Sequence, residues 1–260
     1  MAKAKAATKI PARIASASER VTGSKSAAGG ARSISDEVQS ALASLKMQCT
    51  KANLDGMARY GIPSDNALGV AMRDIKALGK KLGRNHRLAV ALWDTGVYEA
   101  RMLASFVGEP AQLTPAQMDR WCKDFDSWAI CDAMSFNLFD RSPYAWSKVK
   151  EWSKKSREFE KRAAFALLWS LTVHDKRASD EQFLEGLGLI ERESMDERHY
   201  VKKALNMALR AIGKRNRGLR LSAVAAAGRL ADSRSAAAKW VGTDALRELT
   251  SDRVINRSRG

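Results

Sequence analysis

From Ser35 onward, apolar residues recur every three or four positions, and strict alternation of apolar with polar residues is almost absent. That period predicts helices and leaves little room for strands. The predicted helices fall at 65–82, 85–94, 97–107, 115–124, 128–139, 143–155, 157–175, 179–190, 196–214 and 217–231. Their beginnings carry the expected start signals. Ser35 before Asp36 and Glu37 reads as an N-cap followed by first-turn acids, and Ser64-Asp65 repeats that logic. Thr114-Pro115 and Ser142-Pro143 put proline where a helix tolerates it, at the first position.

One internal echo suggests how the helices are arranged. Phe159-Glu160-Lys161-Arg162-Ala163-Ala164 recurs 41 residues later as Tyr200-Val201-Lys202-Lys203-Ala204-Leu205. Tyr98-Glu99-Ala100-Arg101-Met102-Leu103 has the same form, but its offset of 61 is not a whole multiple. A period near 40 is the length of a HEAT-type helix pair. Such pairs stack into a solenoid with a concave surface. The predicted fold is therefore all-α, a curved solenoid of HEAT-like helical repeats with a basic concave groove. Repetition would set Arg101, Arg162 and Lys203 along that groove. Chance similarity among alanine-rich helices is the alternative.

Charge narrows the partner. The chain holds 45 Lys and Arg against 29 Asp and Glu, a formal net charge of +16. Such an excess favours a polyanion, most often nucleic acid. Residues 1–34 are rich in Ala, Lys, Ser, Gly and Arg, with Glu19 the only acid. They read as a disordered basic tail that adds phosphate contacts. A transit peptide has similar composition, but a sustained amphipathic stretch is lacking, which favours the tail. The repeat domain is expected over 35–252, with a short flexible C-terminus at 253–260.

Other chemistries lack support. No run of uncharged apolar residues reaches the length of a membrane span. Cys49, Cys122 and Cys131 are an odd set without a CxxC pair, and His86, His174 and His199 are scattered. Neither a disulfide framework nor a metal site is expected, and no cofactor motif such as a P-loop occurs. A reducing cytoplasm, nucleoid-associated in a bacterium, is the default location.

The least ordinary segment is Asp124-Phe125-Asp126-Ser127-Trp128-Ala129-Ile130-Cys131-Asp132. On a helix starting near Ser127, Trp128 and Asp132 are i and i+4 and share a face. Ile130, Ala133, Met134 and Leu138 form an apolar stripe roughly opposite. An indole beside a carboxylate suits a base or sugar that develops positive charge. The alternative is a core tryptophan, with Phe139 on its side, and an aspartate favouring the helix dipole.

The sequence resembles the AlkD family of DNA alkylation repair glycosylases from about residue 36 to 232. The resemblance is carried by Tyr60-Gly61-Ile62 with Leu68-Gly69-Val70, Ala91 to Arg101, Gln117-Met118-Asp119, Asp126-Ser127-Trp128 with Cys131-Asp132, Phe159 to Ala163, His174-Asp175-Lys176 and Tyr200 to Asn206. It implies a HEAT-like stack that binds duplex DNA containing alkylated bases. It further implies hydrolytic release of cationic N3- and N7-alkylated purines without deep base flipping. Asp132 matches the catalytic aspartate, Trp128 a groove tryptophan and Arg162 a groove arginine. A second groove tryptophan should stand where this chain has Met207. That departure keeps a non-catalytic DNA-binding relative, for damaged or branched DNA, as the alternative, and a protein scaffold as a third. Arg162 is expected to hold a phosphate or to orient Asp132. A monomer that needs no cofactor is expected.

Overall fold

The computed structural model describes residues 33–257. Among these residues the regular structure is helical, apart from one isolated antiparallel bridge between Cys49 and Val70. The N-terminal end consists of α1 (Ile34–Lys46), α2 (Lys51–Met57) and α3 (Met72–Leu82). One row of helices then runs through the molecule: α5 (Tyr98–Val107), α7 (Trp128–Asn137), α9 (Glu158–His174), α11 (His199–Gly213) and α13 (Ala236–Leu249). Each packs on the next. Preceding each of them in sequence lie α4 (His86–Asp94), α6 (Pro115–Lys123), α8 (Ala145–Trp152), α10 (Asp180–Glu193) and α12 (Arg217–Ala231), which pack against that row. A last short helix, α14 (Asp252–Arg257), follows. This is the expected stack of HEAT-like helix pairs.

The row helices start at Tyr98, Trp128, Glu158, His199 and Ala236, which are intervals of 30, 30, 41 and 37 residues. The repeats are unequal in length, so the offset of 61 between Tyr98 and Phe159 spans two short repeats. Cross-helix bonds keep α9 and α11 running in the same direction. The Tyr200 amide donates to Glu158 near their starts, and Arg215 donates to the Thr172 carbonyl near their ends. The middle of the row is dry. Ala163 to Leu168 is a continuous buried run, as expected for a helix covered on most sides. An aromatic cluster fills the space below: Trp93 stacks on Trp121 at 4.9 Å, and Phe139 lies 5.7 Å from Trp152.

Several expected boundaries move. The first helix is capped by Ser33, not Ser35, in a capping box with Asp36. Residues 65–71 are not helical. The amides of Leu68, Gly69 and Val70 donate to the buried Glu99 carboxylate at 2.8, 2.7 and 3.2 Å, and this capture replaces helical bonding. Ser142-Pro143 does not open its helix directly. The Ser142 hydroxyl accepts from the Tyr144 amide, and α8 begins at Ala145. α7 stops at Asn137, two residues short of expectation. The helices α2, α13 and α14 were not anticipated, and α14 replaces part of the expected flexible C-terminus. The basic tail expected at 1–34 lies outside the described residues except for Ser33 and Ile34, which are the cap and first residue of α1. No helix among the described residues is long and apolar enough to cross a membrane.

Candidate nucleic-acid cleft

The parallel row lines up equivalent positions. Asp132, Arg162 and Lys203 are each the fifth residue of their helix, on α7, α9 and α11. They converge on a cleft of about 440 Å³, walled also by Trp128, His199, Tyr200 and Met207, and rimmed by Arg59, Tyr60 and Gly61.

Its centre is an ion pair. Arg162 donates through Nη2 to both Asp132 oxygens, at 2.9 and 2.8 Å, and through Nε to Oδ1 at 3.2 Å. Nη1 donates to the Tyr200 carbonyl at 2.9 Å. The Arg162 side chain is 3% exposed and that of Asp132 18%. The guanidinium is therefore a buried clamp that fixes the carboxylate, and it is not positioned to reach a phosphate. Of the two roles expected for Arg162, this geometry is that of orienting Asp132. Burial pushes the Asp132 carboxyl above its ordinary value, and the charge and hydrogen bonds of Arg162 oppose that rise.

Trp128 is half-buried, and its Nε1 donates to the Tyr60 carbonyl at 2.8 Å. Across the cleft, the Tyr200 hydroxyl approaches the Gly61 carbonyl at 3.5 Å. The Tyr60-Gly61 turn thus bridges α7 and α11. Gly61 has φ of 64°, which favours glycine, and a Cβ there would lie 2.2 Å from the Tyr200 hydroxyl, so a larger residue would also have to move the Tyr200 side chain. Phe159 and Tyr200, the aromatic members of the sequence echo, lie 5.4 Å apart ring to ring.

Trp128, Asp132, Arg162, Lys203 and Met207 are thus brought together, but Arg101 is not. On α5 the fifth position belongs to buried Met102, and Arg101 is the fourth. Its guanidinium lies 5.0 Å over the Trp93 ring and donates to the Asp124 carbonyl at 3.3 Å, so it is held away from the cleft. Sequence reasoning had assigned no role to Arg59, Tyr60 or Gly61. Tyr60-Gly61 had appeared only as one link in the resemblance. Arg59 and Lys203 are both exposed and form no ion pair among the described residues, which leaves their charge available at the rim. No cluster of His, Cys, Asp and Glu among the described residues could hold a metal ion.

These features define a HEAT-like helical-repeat protein whose basic cleft shelters one carboxylate. The chain belongs to the family described as DNA alkylation repair enzyme, whose model matches residues 41–249. No curated protein matches it. It is similar in structure to a chain described as belonging to "a new family of proteins related to the HEAT-like repeat DNA glycosylases with affinity for branched DNA structures". The TM-score is 0.68 and the identity 19%, over 81% of this chain and 94% of that one. At this identity the likeness speaks for the fold.

Proposed function

We propose that the protein is a DNA glycosylase that hydrolyses the N-glycosidic bond of cationic N3- or N7-alkylated purines. The observation that carries this reading is the Asp132 carboxylate, clamped from behind by Arg162 and open to the cleft beside Trp128. A glycosidic bond breaks through an oxocarbenium-like sugar. When the bond breaks, its electron pair passes to the alkylated base, which leaves neutral, so a general acid is unnecessary. The positive charge remains on the sugar, and a fixed carboxylate in a partly dry site stabilises it strongly. Water then adds to the sugar carbon and gives up a proton, which Asp132 can accept.

The remaining groups serve binding. Trp128 offers an aromatic wall to a cationic base or the sugar. Lys203 and Arg59 supply phosphate contacts, which carry affinity and not sequence choice. The cleft is an open groove between Trp128 and Tyr200, in which the lesion would be held near the helical stack and not flipped deeply.

Met207 favours a second reading. It stands where the resemblance calls for a tryptophan, and a thioether lacks an aromatic face. A non-catalytic protein that holds damaged or branched DNA would fit such a cleft, as the affinity described for the structural relative suggests. One experiment separates the two: base release from methylated duplex DNA by the wild type, Asp132→Asn and Met207→Trp. The glycosylase reading expects release by the wild type. It expects a fall of about 100-fold or more in Asp132→Asn with DNA binding retained, in line with the loss of one transition-state charge contact. Met207→Trp should raise release. Tight binding without any release, in the wild type and Met207→Trp alike, would decide for the second reading.

A further inference from the structure

The register that gathers the cleft continues one helix further. Trp240 is the fifth residue of α13, the position held by Asp132, Arg162 and Lys203 on the three preceding row helices. α13 packs directly on α11, and the two are tied beside Trp240 by Asn206 Nδ2, which donates to the Val241 carbonyl at 3.2 Å. Trp240 does not line the cleft, and it is not core: it is 40% exposed, whereas Trp93, Trp121 and Trp152 are fully buried. The Lys202 ammonium stands 5.3 Å from the centre of its ring, and Lys202 neighbours Lys203 of the cleft. Lys202 forms no ion pair among the described residues. The carboxylates on this seam are farther along the helices and already engaged, Glu248 by Arg210 and Lys214 and Asp244 by Arg210 and Arg247.

We propose that Trp240 and Lys202 form a second DNA contact that takes an uncovered nucleobase, with Lys202 meeting the adjoining phosphate. The inference rests on the reading that the basic cleft holds DNA, but not on catalysis there. An exposed indole next to an unpaired ammonium is the pair of groups from which single-strand platforms are built. The ring stacks on any base face, and the cation tracks the backbone. Inside continuous duplex every base face is already covered by its neighbours. The contact therefore adds affinity where a strand end or unpaired nucleotide lies one row helix beyond the cleft, and adds little on blunt duplex.

The test is fluorescence anisotropy with the full chain, on a blunt duplex and on the same duplex with a single-stranded overhang. Wild type should prefer the overhang. Trp240→Ala should lose about tenfold on the overhang DNA, the size of one base–aromatic stack. It should lose less than about twofold on the blunt duplex. Trp240→Phe should keep most of the preference, and Lys202→Ala should weaken the overhang complex with a reduced salt dependence. Equal losses on both DNAs, or none on either, would overturn the proposal. Base release from methylated blunt duplex is measured alongside. Its absence would sink the glycosylase reading while leaving an overhang preference that depends on Trp240 standing.

Discussion

α8 and α9 each carry one buried cation, Lys148 and Arg162, and each cation reaches an aspartate on the helix two back in the chain, Asp119 on α6 and Asp132 on α7. Asp119 is held by two side chains outside the cleft. Lys148 donates to both of its oxygens at 2.7 Å, Trp152 Nε1 adds a third bond at 2.8 Å, and Lys148 also holds Glu151. Burial pulls the Lys148 pKa down, but these bonds carry it above its ordinary value overall. The Asp132 site is left open. Its direct hydrogen bonds come from a single guanidinium, and burial prevails over that partner to push its pKa up. Each carboxylate thus accepts three hydrogen bonds, but Asp119 shares two donor side chains away from the cleft, whereas Asp132 rests on one guanidinium and lines the cleft. A carboxylate that burial disfavours, facing a cleft, marks a candidate site for a ligand that brings positive charge.

Breaking both pairs should expose the difference. Arg162→Met and Lys148→Met should each destabilise the fold by up to about 3–5 kcal/mol, because each takes a buried cation from a partly buried carboxylate. Urea unfolding measures this. Only Arg162→Met should also lower DNA base release per folded molecule. An equal loss of release in Lys148→Met would erase the contrast. A smaller effect is expected from Gly61→Ala. The positive φ costs about 1–3 kcal/mol for a residue with a Cβ. The added methyl must also displace the Tyr200 ring, so the Tyr60 turn should detach from Trp128, with a lower melting temperature and altered Trp fluorescence.

The smallest effect is one of pH. If ionised Asp132 is the working form, base release should fall on acidification at a pH above the ordinary carboxyl value of 3.8. The sign for stability is the reverse of the usual acidic pair. A folded pKa raised above the unfolded one means that ionised Asp132 costs stability at neutral pH, and that cost disappears as pH falls through the folded pKa. An acid limb of release at or below 3.8 would show that Asp132 is as satisfied as a surface carboxylate.

The placement of the cleft residues was legible where it is local. Trp128 and Asp132 stand four apart on one helix, and the aromatic-x-x-basic echo correctly announced the starts of α9 and α11. What escaped notice depends on distance along the chain. The Tyr60 carbonyl meets Trp128 across 68 residues, and no short-range pattern encodes that meeting. Glu99 stands in the first turn of α5, yet it is buried and holds three amides some 30 residues earlier, which unwinds the predicted start at Ser64-Asp65. Arg101 fits the echo, but α5 begins at Tyr98 itself, whereas α9 and α11 begin one residue before Phe159 and Tyr200, and a single-residue change of phase on a helix turns a side chain by about 100°. α13 was overlooked because Ala236-Ala237-Ala238 gives a weak periodic signal, although Ser235 caps it.

The Tyr60-Gly61 turn also bears on how the chain assembles. A solenoid can ordinarily gain or lose its end repeats piecemeal, since each touches only its neighbours. Here the turn after α2 docks on α7 and reaches α11, joining Gly61 to a residue 139 positions away. Such a long loop closes late, after the local helix pairs have formed. The cleft is therefore finished only when the first helices fold back over α7 and α11, so that a chain still emerging during synthesis carries Asp132 without its rim until Tyr200 has been made and packed.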